Sequence, residues 1–225
     1  MKRKIIITSD GSKTIQIEEW NEQYHSKHGA IQEAKHVFLK YGLHYCLGAD
    51  SIETPLSILE IGFGTGLNAF LTLIESEKLN IEIKYTGIEA FPVSHDEIIQ
   101  LNYPDMVAPK KQKLFDDLHN VSWEKLHKID KNFSIMKCQQ DFFNITNKNE
   151  FDLIYFDAFG ARVQPELWTE TIFDKMFKVL KNKGVLVTYS AKGSVRRAMQ
   201  VVGFEVEKLE GPPGKREMLR AYKKA

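Results

Sequence analysis

A strand, a glycine turn and a helix follow one another without a break at residues 58–71, and this succession limits the folds open to the chain. The apolar run Ile58–Ile61 has the composition of a buried strand, Gly62-Phe63-Gly64-Thr65-Gly66 follows it, and residues 67–71 have a helical pattern. Glycines let the backbone approach a ligand closely at the carboxyl end of a strand. The sequence therefore predicts an α/β fold with a ligand site at this turn.

Short β-branched or aromatic runs alternate with helical patterns along most of the chain. The predicted strands lie at 57–61, 81–88, 133–138, 151–156 and 184–189. The predicted helices between them lie at 66–78, 93–101, 115–128 and 165–180. Because parallel strands need a crossover connection, this order predicts right-handed βαβ units and a parallel sheet that is buried on both faces.

The C-terminal part departs from this alternation. A helix is predicted at 193–202, and strands at 204–209 and 217–222 flank Gly211-Pro212-Pro213-Gly214. A tight turn between two strands makes them antiparallel neighbours. We therefore expect a Rossmann-like α/β sheet that is mostly parallel and has an antiparallel last strand.

The N-terminal residues predict a small addition to this sheet. Residues 4–8 and 14–18 alternate in part and flank Ser9-Asp10-Gly11-Ser12, which predicts a β-hairpin, and apolar residues recur at helical spacing over 29–47. A length of 225 residues suits one sizeable core. We expect a hairpin and helix extension over 1–50 and one catalytic domain over 51–225.

Composition argues against several classes of protein. The longest apolar runs fall far short of the ~20 residues that span a bilayer, and the N-terminus lacks the apolar region of a signal peptide, so we expect a cytoplasmic protein without membrane contact. Cys46 and Cys138 stand alone and are expected to be reduced packing residues. Four histidines lack the pattern of a metal site, and no metal is expected; they are His25, His28, His36 and His44.

The glycine turn favours a nucleoside ligand without a pyrophosphate. The spacing is Gly-x-Gly-x-Gly, and Leu67 stands where a dinucleotide fingerprint has Gly or Ala. Glu89 ends the next predicted strand about 20 residues later, where a carboxylate accepts from ribose hydroxyls, although a strand-end surface acid is the alternative. S-adenosyl-L-methionine is the cofactor that we expect in such a site.

Three further residues are candidates for the same cofactor. Asp141 and Phe142 follow the third core strand and are expected to hold the adenine amino group and stack on the ring. Glu60 precedes the turn. Its carboxylate is expected either to bind the methionine ammonium through water or to hold the amides of the turn.

Asp157 is the candidate catalytic residue. It ends the buried run Phe151–Phe156, so its carboxylate is aimed at the crevice where the transferred methyl group lies. Methyl transfer from a sulfonium needs a neutral nucleophile held near the methyl carbon, at roughly 3 Å. A carboxylate that accepts hydrogen bonds from an amine orients its lone pair and stabilises the developing cation. Phe159 is expected to stack on a flat acceptor such as a base.

Charge is distributed unevenly along the chain. Residues 181–225 hold eleven Lys or Arg and four Glu, whereas residues 1–180 have an acidic excess. Clustered cations attract phosphate backbones, and a solvated basic face is the alternative interpretation. The C-terminal part is therefore a candidate surface for an anionic partner.

Several motifs together resemble the MnmC-type tRNA methyltransferase domain, called MnmD when it stands alone. The first is the run from Glu60 through the glycine turn to Asn68. The others are Asp157-Ala158-Phe159 with Pro165–Thr169, Thr188–Gly193 with Val195-Arg196-Arg197, Gly203-Phe204, and Gly211–Met218. Tyr24, Gly29, Glu33 and Ala34 also resemble the family's N-terminal segment.

The resemblance implies a class I methyltransferase fold and a tRNA substrate. The implied reaction methylates the aminomethyl nitrogen of 5-aminomethyl-2-thiouridine at the wobble position. The implied cofactor residues are Glu60, Gly62, Phe63, Gly64, Gly66, Asn68, Glu89, Asp141 and Phe142. The implied substrate residues are Phe159, Tyr189, Lys192, Arg196, Arg197, Lys215 and Arg216, and Arg220 is also expected to hold phosphate.

Two features qualify this resemblance. The family's best-known members carry a fused FAD-dependent oxidase that this chain is too short to hold. The aminomethyl nucleoside is therefore expected from an upstream wobble-uridine modification complex or from a separate oxidase. Gly160-Ala161-Arg162 stands where the family usually has a Ser-Pro step, which leaves the shape of that loop open.

Other classes of function remain as alternatives. The fold leaves the acceptor open, so a methyltransferase for a small-molecule or protein amine is one. A non-catalytic nucleotide- or RNA-binding module is another. Trp168 is expected either to stack on a base or, as the more usual role, to anchor the core.

Overall fold

The computed structural model describes residues 2–48 and 54–224. The central feature is an eight-stranded sheet with the order β10-β11-β9-β8-β4-β5-β7-β6. The strands are β4 (Leu56–Ile61), β5 (Ile83–Ile88), β6 (Leu126–Asp130), β7 (Phe133–Cys138), β8 (Phe151–Phe156), β9 (Leu180–Thr188), β10 (Glu205–Glu210) and β11 (Glu217–Tyr222). The predicted boundary between extension and catalytic domain, at residues 50 and 51, lies outside the described residues.

The direction of the strands confirms the predicted sheet. Strands β4, β5, β7, β8 and β9 pair in parallel. Strand β11 lies antiparallel between β9 and β10, as the Gly211–Gly214 turn predicts. The carboxyl ends of the parallel strands therefore meet at one edge of the sheet, where a ligand crevice forms.

Strand β6 was not predicted. The predicted helix at 115–128 is α6 (Gln112–Asn120), and the chain then forms β6 antiparallel to β7 at the end of the sheet. Leu126 in this strand is 53 % exposed. An edge strand without a buried face lacks the apolar alternation by which a strand is predicted, which explains the error.

In the described residues, five further α-helices accompany the sheet: the first and last lie close to the predicted bounds, the second and fourth are shorter than predicted, and the third was not predicted. They are α3 (Leu67–Leu79), α4 (His95–Ile98), α5 (Tyr103–Val107), α7 (Glu170–Val179) and α8 (Gly193–Val201). The predicted helix at 93–101 shrinks to α4, which begins with a capping box of Ser94 and Glu97. The first residues of the helix predicted at 165–180 form a 3₁₀ turn, Pro165–Trp168.

The N-terminal segment forms the predicted hairpin and helix. Strands β1 (Arg3–Ile7) and β2 (Lys13–Ile17) pair antiparallel, and β3 (Glu22–Gln23) extends them to three strands. The helix runs as α1 (Ala30–Ala34), a π-helical stretch (Lys35–Leu43) and α2 (His44–Leu47). A Cβ at Gly42 would meet Tyr155 and Val187 at 3.1 Å, so glycine lets this helix lie close to the sheet.

Two apolar layers cover the sheet. Phe38, Phe70, Phe115 and Tyr155 belong to the layer shared with the N-terminal helix, α3 and α6. Phe156, Phe173, Met176 and Val195 belong to the layer shared with α7 and α8. The sheet is thus buried on both faces, as its continuous apolar strands predict.

The described residues also bear on membrane and metal sites. No helix among them is long and apolar enough to cross a membrane. Across residues 2–48 and 54–224, no group of three or more His, Cys, Asp or Glu side chains is arranged to hold a metal ion.

Candidate active site

A cavity of about 470 Å³ opens at the carboxyl ends of the parallel strands. Ten of its lining residues are among those that the sequence predicts for the site: Gly62, Phe63, Gly64, Glu89, Asp141, Phe142, Asp157, Phe159, Tyr189 and Lys215. The N-terminal segment supplies further walls, including Trp20, Tyr24 and Glu33. The fold thus brings together residues that are widely separated in the sequence.

The glycine turn adopts a backbone that L side chains rarely allow. Gly62, Gly64 and Gly66 have φ values of +89°, +51° and +71°. A Cβ at Gly62 would lie 2.9 Å from the Asp157 carbonyl oxygen, and a Cβ at Gly64 would lie 3.1 Å from the Tyr24 ring. Glycine at these positions therefore keeps the floor of the cavity open and begins α3 directly behind it.

Glu89 and Asp141 lie where the sequence predicts them, at the ends of neighbouring strands. Glu89 accepts hydrogen bonds from the amides of Gly64, at 3.0 Å, and Phe91, at 2.9 Å. Asp141 accepts from the Phe143 amide at 2.8 Å. Both carboxylates line the cavity, so Glu89 is not a plain surface acid.

The aromatic residues beside these acids differ in exposure. Phe142 is 7 % exposed and packs in the second apolar layer, whereas Phe91 is 65 % and Phe143 is 39 % exposed. All three line the cavity. Phe91 and Phe143 are therefore additional candidates for contact with a ring, and no local sequence pattern separates them from other loop aromatics.

Asn68 joins the cavity residue Asp157 to Glu60, and neither Asn68 nor Glu60 lines the cavity. Its side-chain amide donates to Glu60 at 2.9 Å and to Asp157 at 2.8 Å. The amides of Gly62 and Phe63 donate to the Ile88 carbonyl. Glu60 is therefore bonded to Asn68 and not to the amides of Gly62 and Phe63. This argues against the second role expected for Glu60, in which its carboxylate holds the amides of the turn.

Burial changes the ionisation of both carboxyl groups. Glu60 is 1 % exposed, and burial together with repulsion by Asp157 raises its pKa well above the usual range. Burial and then repulsion by Glu33 raise the pKa of Asp157 well above its usual value. Among the described residues, Glu60 Oε2 and Asn68 Oδ1 are buried acceptors without a hydrogen-bond partner. The buried Tyr85 hydroxyl is the nearby donor for Glu60, and neither Glu60 nor Asn68 lines the cavity, so these two residues support Asp157 from behind.

Aromatic residues surround the other side of the cavity. The Phe159 ring contacts Tyr24 and Trp20 edge-on, with centroids 4.8 Å and 5.7 Å away. Burial raises the pKa of Tyr189 well above its usual value, and its hydroxyl donates to the Ala158 carbonyl at 2.8 Å. These rings already touch one another, so a planar group would stack against one of them and would not enter between them.

Lys215 and Glu33 form an ion pair in the cavity wall. The Lys215 ammonium lies 2.6 Å from Glu33 Oε1 and 3.9 Å from the centroid of the Tyr189 ring. Glu33 is 7 % exposed and also accepts from the Ser26 amide at 2.9 Å. Tyr24 and Glu33 resemble the family's N-terminal segment, but no sequence pattern assigns a role to either residue or points to Trp20.

Arg162 lies in the loop where the chain departs from the family pattern, and its contacts hold that loop in place. Its guanidinium donates to the carbonyls of Trp20, at 2.8 Å, and Asn21, at 3.2 Å, and pairs with Glu22 at 2.7 Å. The loop after Asp157 is therefore tied to the N-terminal segment. Trp168 is 5 % exposed, packs on Phe156 and donates to the Phe159 carbonyl, so it anchors the core.

The predicted basic residues lie in different environments. Lys192, Arg197 and Arg216 are exposed and Arg196 is half-buried, and none of the four lines the cavity. The prediction that Arg220 holds phosphate was wrong. Arg220 is 7 % exposed, pairs with Glu207, and stacks 3.4 Å from the centroid of Tyr45. Its alternating position in the central strand β11 turns it inward, so it stabilises the packing of the N-terminal helix.

His25 lines the cavity and contacts the glycine turn. Its ring lies 2.7 Å from Thr65 Oγ1 in the glycine turn, and burial lowers its pKa to about 4. His25 therefore stays neutral near pH 7 and supports the turn from the N-terminal side.

Comparison with known proteins gives relatives along the whole chain. The bifunctional protein MnmC of tRNA 5-methylaminomethyl-2-thiouridine biosynthesis from Actinobacillus pleuropneumoniae serotype 5b is 29 % identical over 95 % of this chain. The MnmC protein of Leptospira interrogans serovar copenhageni is also 29 % identical over 95 % of the chain. The chain spans 34 % of the length of either relative.

Solved structures share the fold. The crystal structure of MNMC2 from Aquifex aeolicus matches with a TM-score of 0.79 and 25 % identity, over 100 % of this chain and 71 % of that one. Spermidine synthase from Thermotoga maritima matches with a TM-score of 0.59 and 14 % identity, over 98 % of this chain and 68 % of that one, and shows the fold alone.

A family profile matches the half of the chain that contains Asp141, Asp157, Tyr189 and Lys215. The match covers residues 112–224, and the family is described as S-adenosyl-L-methionine-dependent methyltransferase. Together with the class I methyltransferase sheet and the glycine turn at its carboxyl edge, this match shows that the chain belongs to the S-adenosyl-L-methionine-dependent methyltransferase family.

Proposed function

We propose that this chain methylates the aminomethyl nitrogen of 5-aminomethyl-2-thiouridine at the wobble position of tRNA. The observation that carries the proposal is the Asp157 carboxylate, which lines one cavity with the glycine turn on one side and Phe159 on the other. The names of the MnmC relatives and the similarity to MNMC2 support the substrate.

The residues around the glycine turn fit S-adenosyl-L-methionine. This cofactor supplies a methyl group on a sulfonium centre. The Glu89 carboxylate suits its ribose hydroxyls. Glu60 and Asn68 are buried behind the turn and do not line the cavity, so they would act on its ammonium group through water or through Asp157. Asp141 and Phe142 lie at the next strand end and would hold the adenine. Gly62, Phe63, Gly64 and Gly66 form the backbone of the turn.

Asp157 would act on the acceptor amine. An ammonium has no free lone pair, so it must lose a proton before nitrogen can attack a methyl carbon. The raised pKa of the Asp157 carboxyl makes it a stronger proton acceptor than an ordinary aspartate. The ionised carboxylate would take this proton from the ammonium, and the carbonyl oxygen of the resulting carboxyl would accept a hydrogen bond from the neutral amine and orient its lone pair. After transfer, the methylated nitrogen carries the positive charge and its N–H groups donate to the same oxygen. Asn68 fixes the carboxylate in this direction.

The aromatic wall would hold the base that carries the amine. Phe159 is the stacking residue, and Trp20 and Tyr24 contact its ring edge-on. Tyr189 is bonded to the Ala158 carbonyl and bounds the same side. Stacking on an aromatic ring contributes about 1 to 3 kcal/mol per base and orients the base plane. The aminomethyl group would thereby be directed toward Asp157.

The exposed basic residues would bind the tRNA backbone. Lys192 follows the cavity residue Tyr189 by three positions, and Arg216 follows the cavity residue Lys215. Arg196 and Arg197 lie on the first turns of α8, just after Lys192. Phosphate contacts contribute affinity that falls with salt and carry little sequence preference.

A double variant Arg197→Ala and Arg216→Ala tests this surface. We expect tRNA binding at about 50 mM salt to weaken by about tenfold. The slope of log affinity against log salt concentration should fall in magnitude by about two, because each lost phosphate contact reduces it by roughly one. Filter binding across a salt series measures both quantities. An unchanged slope would exclude these residues from phosphate contact.

The proposed substrate sets the context of the reaction. The aminomethyl nucleoside would come from an upstream wobble-uridine modification complex or from a separate oxidase that removes a carboxymethyl group. A tRNA substrate would also place the reaction in the cytoplasm.

The experiment that tests the proposal supplies the acceptor directly. The protein is incubated with labelled S-adenosyl-L-methionine and tRNA from cells that lack the modification, and the tRNA is digested to nucleosides. We expect label on 5-methylaminomethyl-2-thiouridine, and none with the Asp157→Asn variant. Label on another nucleoside, or transfer only to a free amine or a peptide, would reject the substrate. Failure to bind the cofactor in calorimetry would instead favour a non-catalytic module.

A further inference from the structure

The ion pair of Glu33 and Lys215 lies in the active-site wall without touching the groups to which a reaction step is assigned. It joins α1 to the turn before β11, across 182 positions of sequence. Its two residues line the same cavity as Asp157, and Glu33 is 7 % exposed. A half-buried pair that served only to connect two segments could be replaced by apolar contact at little cost. Its position in the cavity therefore suggests an electrostatic role.

We infer that the Glu33–Lys215 pair sets the charge state of Asp157, with Lys215 favouring the ionised carboxylate and Glu33 opposing it and holding Lys215 in place. This inference rests on the proposed role of Asp157 in the reaction. Glu33 and Lys215 are thus positioning residues that act through Asp157. Lys215 would serve inside the cavity and not as a phosphate contact.

The groups around Asp157 make its charge sensitive to this pair. Glu60 faces it through Asn68, and burial raises the pKa of Glu60 and so favours its neutral form. Burial also raises the pKa values of the Tyr85 and Tyr189 phenols, which are protonated and neutral near pH 7. Lys215 is the cation that favours the ionised form of Asp157, whereas Glu33 opposes it. Loss of either partner therefore changes the field at Asp157, and in opposite directions.

The arrangement also fixes where the cation lies. Glu33 accepts from the Ser26 amide as well as from Lys215, so its carboxylate is held by the N-terminal segment. The Tyr189 ring supports the ammonium from the other side at 3.9 Å. A cation over an aromatic face is attracted by the ring. Lys215 is thus placed by two independent contacts and not by chain connectivity alone.

Two variants that remove one charge each give the sharpest test. Lys215→Met leaves Glu33 unpaired, so the proton at Asp157 should be held more tightly and its titration should move to a pH higher by about 0.5 to 1. Glu33→Gln removes the opposing carboxylate, so the titration should move to lower pH by a similar amount. The double variant should return toward the wild-type value, and Lys215→Arg should retain it.

The first measurement is independent of the acceptor. Carbon NMR of the labelled aspartate side chain, assigned with Asp157→Asn, follows the titration in protein without substrate. Lys208→Met is the matched control, because Lys208 pairs with Glu217 on strands β10 and β11 and does not line the cavity. Thermal unfolding shows whether each variant is folded.

The second measurement is the pH dependence of kcat with the accepted substrate. Its acid limb should move with the same signs as the NMR titration, because added negative charge binds the proton shared by the amine and Asp157 more tightly. Folded variants that shift neither measurement, or shift both in the same direction, would overturn the inference. If tRNA is not methylated, the NMR titration still decides the inference, so its failure and that of the proposed function are distinguishable.

Discussion

Asp157→Asn should bind the cofactor with nearly wild-type affinity and lose turnover by about 10² to 10⁴-fold, the range that a positioned proton acceptor contributes. An asparagine keeps an oxygen that accepts from Asn68, so the geometry of the site persists while the charge is lost. Isothermal titration with S-adenosylhomocysteine measures binding, and a single-turnover assay measures transfer. Unchanged turnover would remove Asp157 from the reaction.

The same substitution should raise thermal stability. The folded pKa of Asp157 is raised, so the unfolded state releases its proton first as pH rises, and the folded state loses stability between the unfolded and the folded pKa. A difference of one between the folded and the unfolded pKa corresponds to about 1.4 kcal/mol. At any pH above the folded pKa of Asp157, the whole of this loss in folding stability is present. Asp157→Asn should therefore melt at a higher temperature than wild type near pH 8, with the difference vanishing below about pH 4, the ordinary range of an aspartate.

A matched control separates this effect from a general loss of negative charge. Asp174 lies on α7 with its side chain 45 % exposed and pairs with Lys178. Asp174→Asn should leave the melting temperature within the small range usual for surface substitutions and should leave turnover unchanged. A similar rise in the melting temperature of both variants would show that the charge of Asp157 destabilises the fold no more than an ordinary surface charge.

The parallel core of the fold was predictable because burial on both faces makes its strands continuous apolar runs. The strand β8, Phe151–Phe156, lies where its apolar pattern predicts it. Strand β6 was not predictable on this basis, since it pairs on one side only and exposes Leu126. Strand β9 begins at Leu180 and not at the predicted residue 184. The reason is similar, because Lys181 and Lys183 interrupt the apolar pattern.

The candidate site was predictable where it depends on strand ends. Glu89, Asp141 and Asp157 follow strands, and parallel strands place their carboxyl ends together. The contacts of Glu33 and Trp20 with the site were not predictable, because they join the N-terminal segment to residues far later in the chain. Nothing local in the sequence marks such contacts.

Charge alone does not distinguish the environments of the C-terminal cations. Lys215 and Arg220 belong to the same basic region as Arg216, yet Lys215 lines the cavity and Arg220 is buried. Lys215 and Arg216 lie in the turn before β11, whereas Arg220 lies within this strand, so cations that are close in sequence meet different environments. A count of charges gives no information on these positions.

Gly62→Ala should weaken cofactor binding and destabilise the fold. The residue has a φ of +89°, and its added Cβ would lie 2.9 Å from the backbone oxygen of Asp157. Neither atom can rotate away, so the ends of β4 and β8 would have to separate. We expect a loss of about 1 to 3 kcal/mol from strain of this kind, and at least a roughly tenfold loss of cofactor affinity.

Gly48→Ala is the control for this substitution. Gly48 ends α2 with a φ of −78°, and its Cβ would meet only ordinary contacts at 3.5 Å or more. Calorimetry with S-adenosylhomocysteine and thermal unfolding should therefore give wild-type values for Gly48→Ala and reduced values for Gly62→Ala. Cofactor binding by a folded Gly62→Ala variant at wild-type affinity would show that the cofactor does not depend on this turn. The assignment of the cavity floor, and with it the alignment of methyl donor and Asp157, would then be wrong.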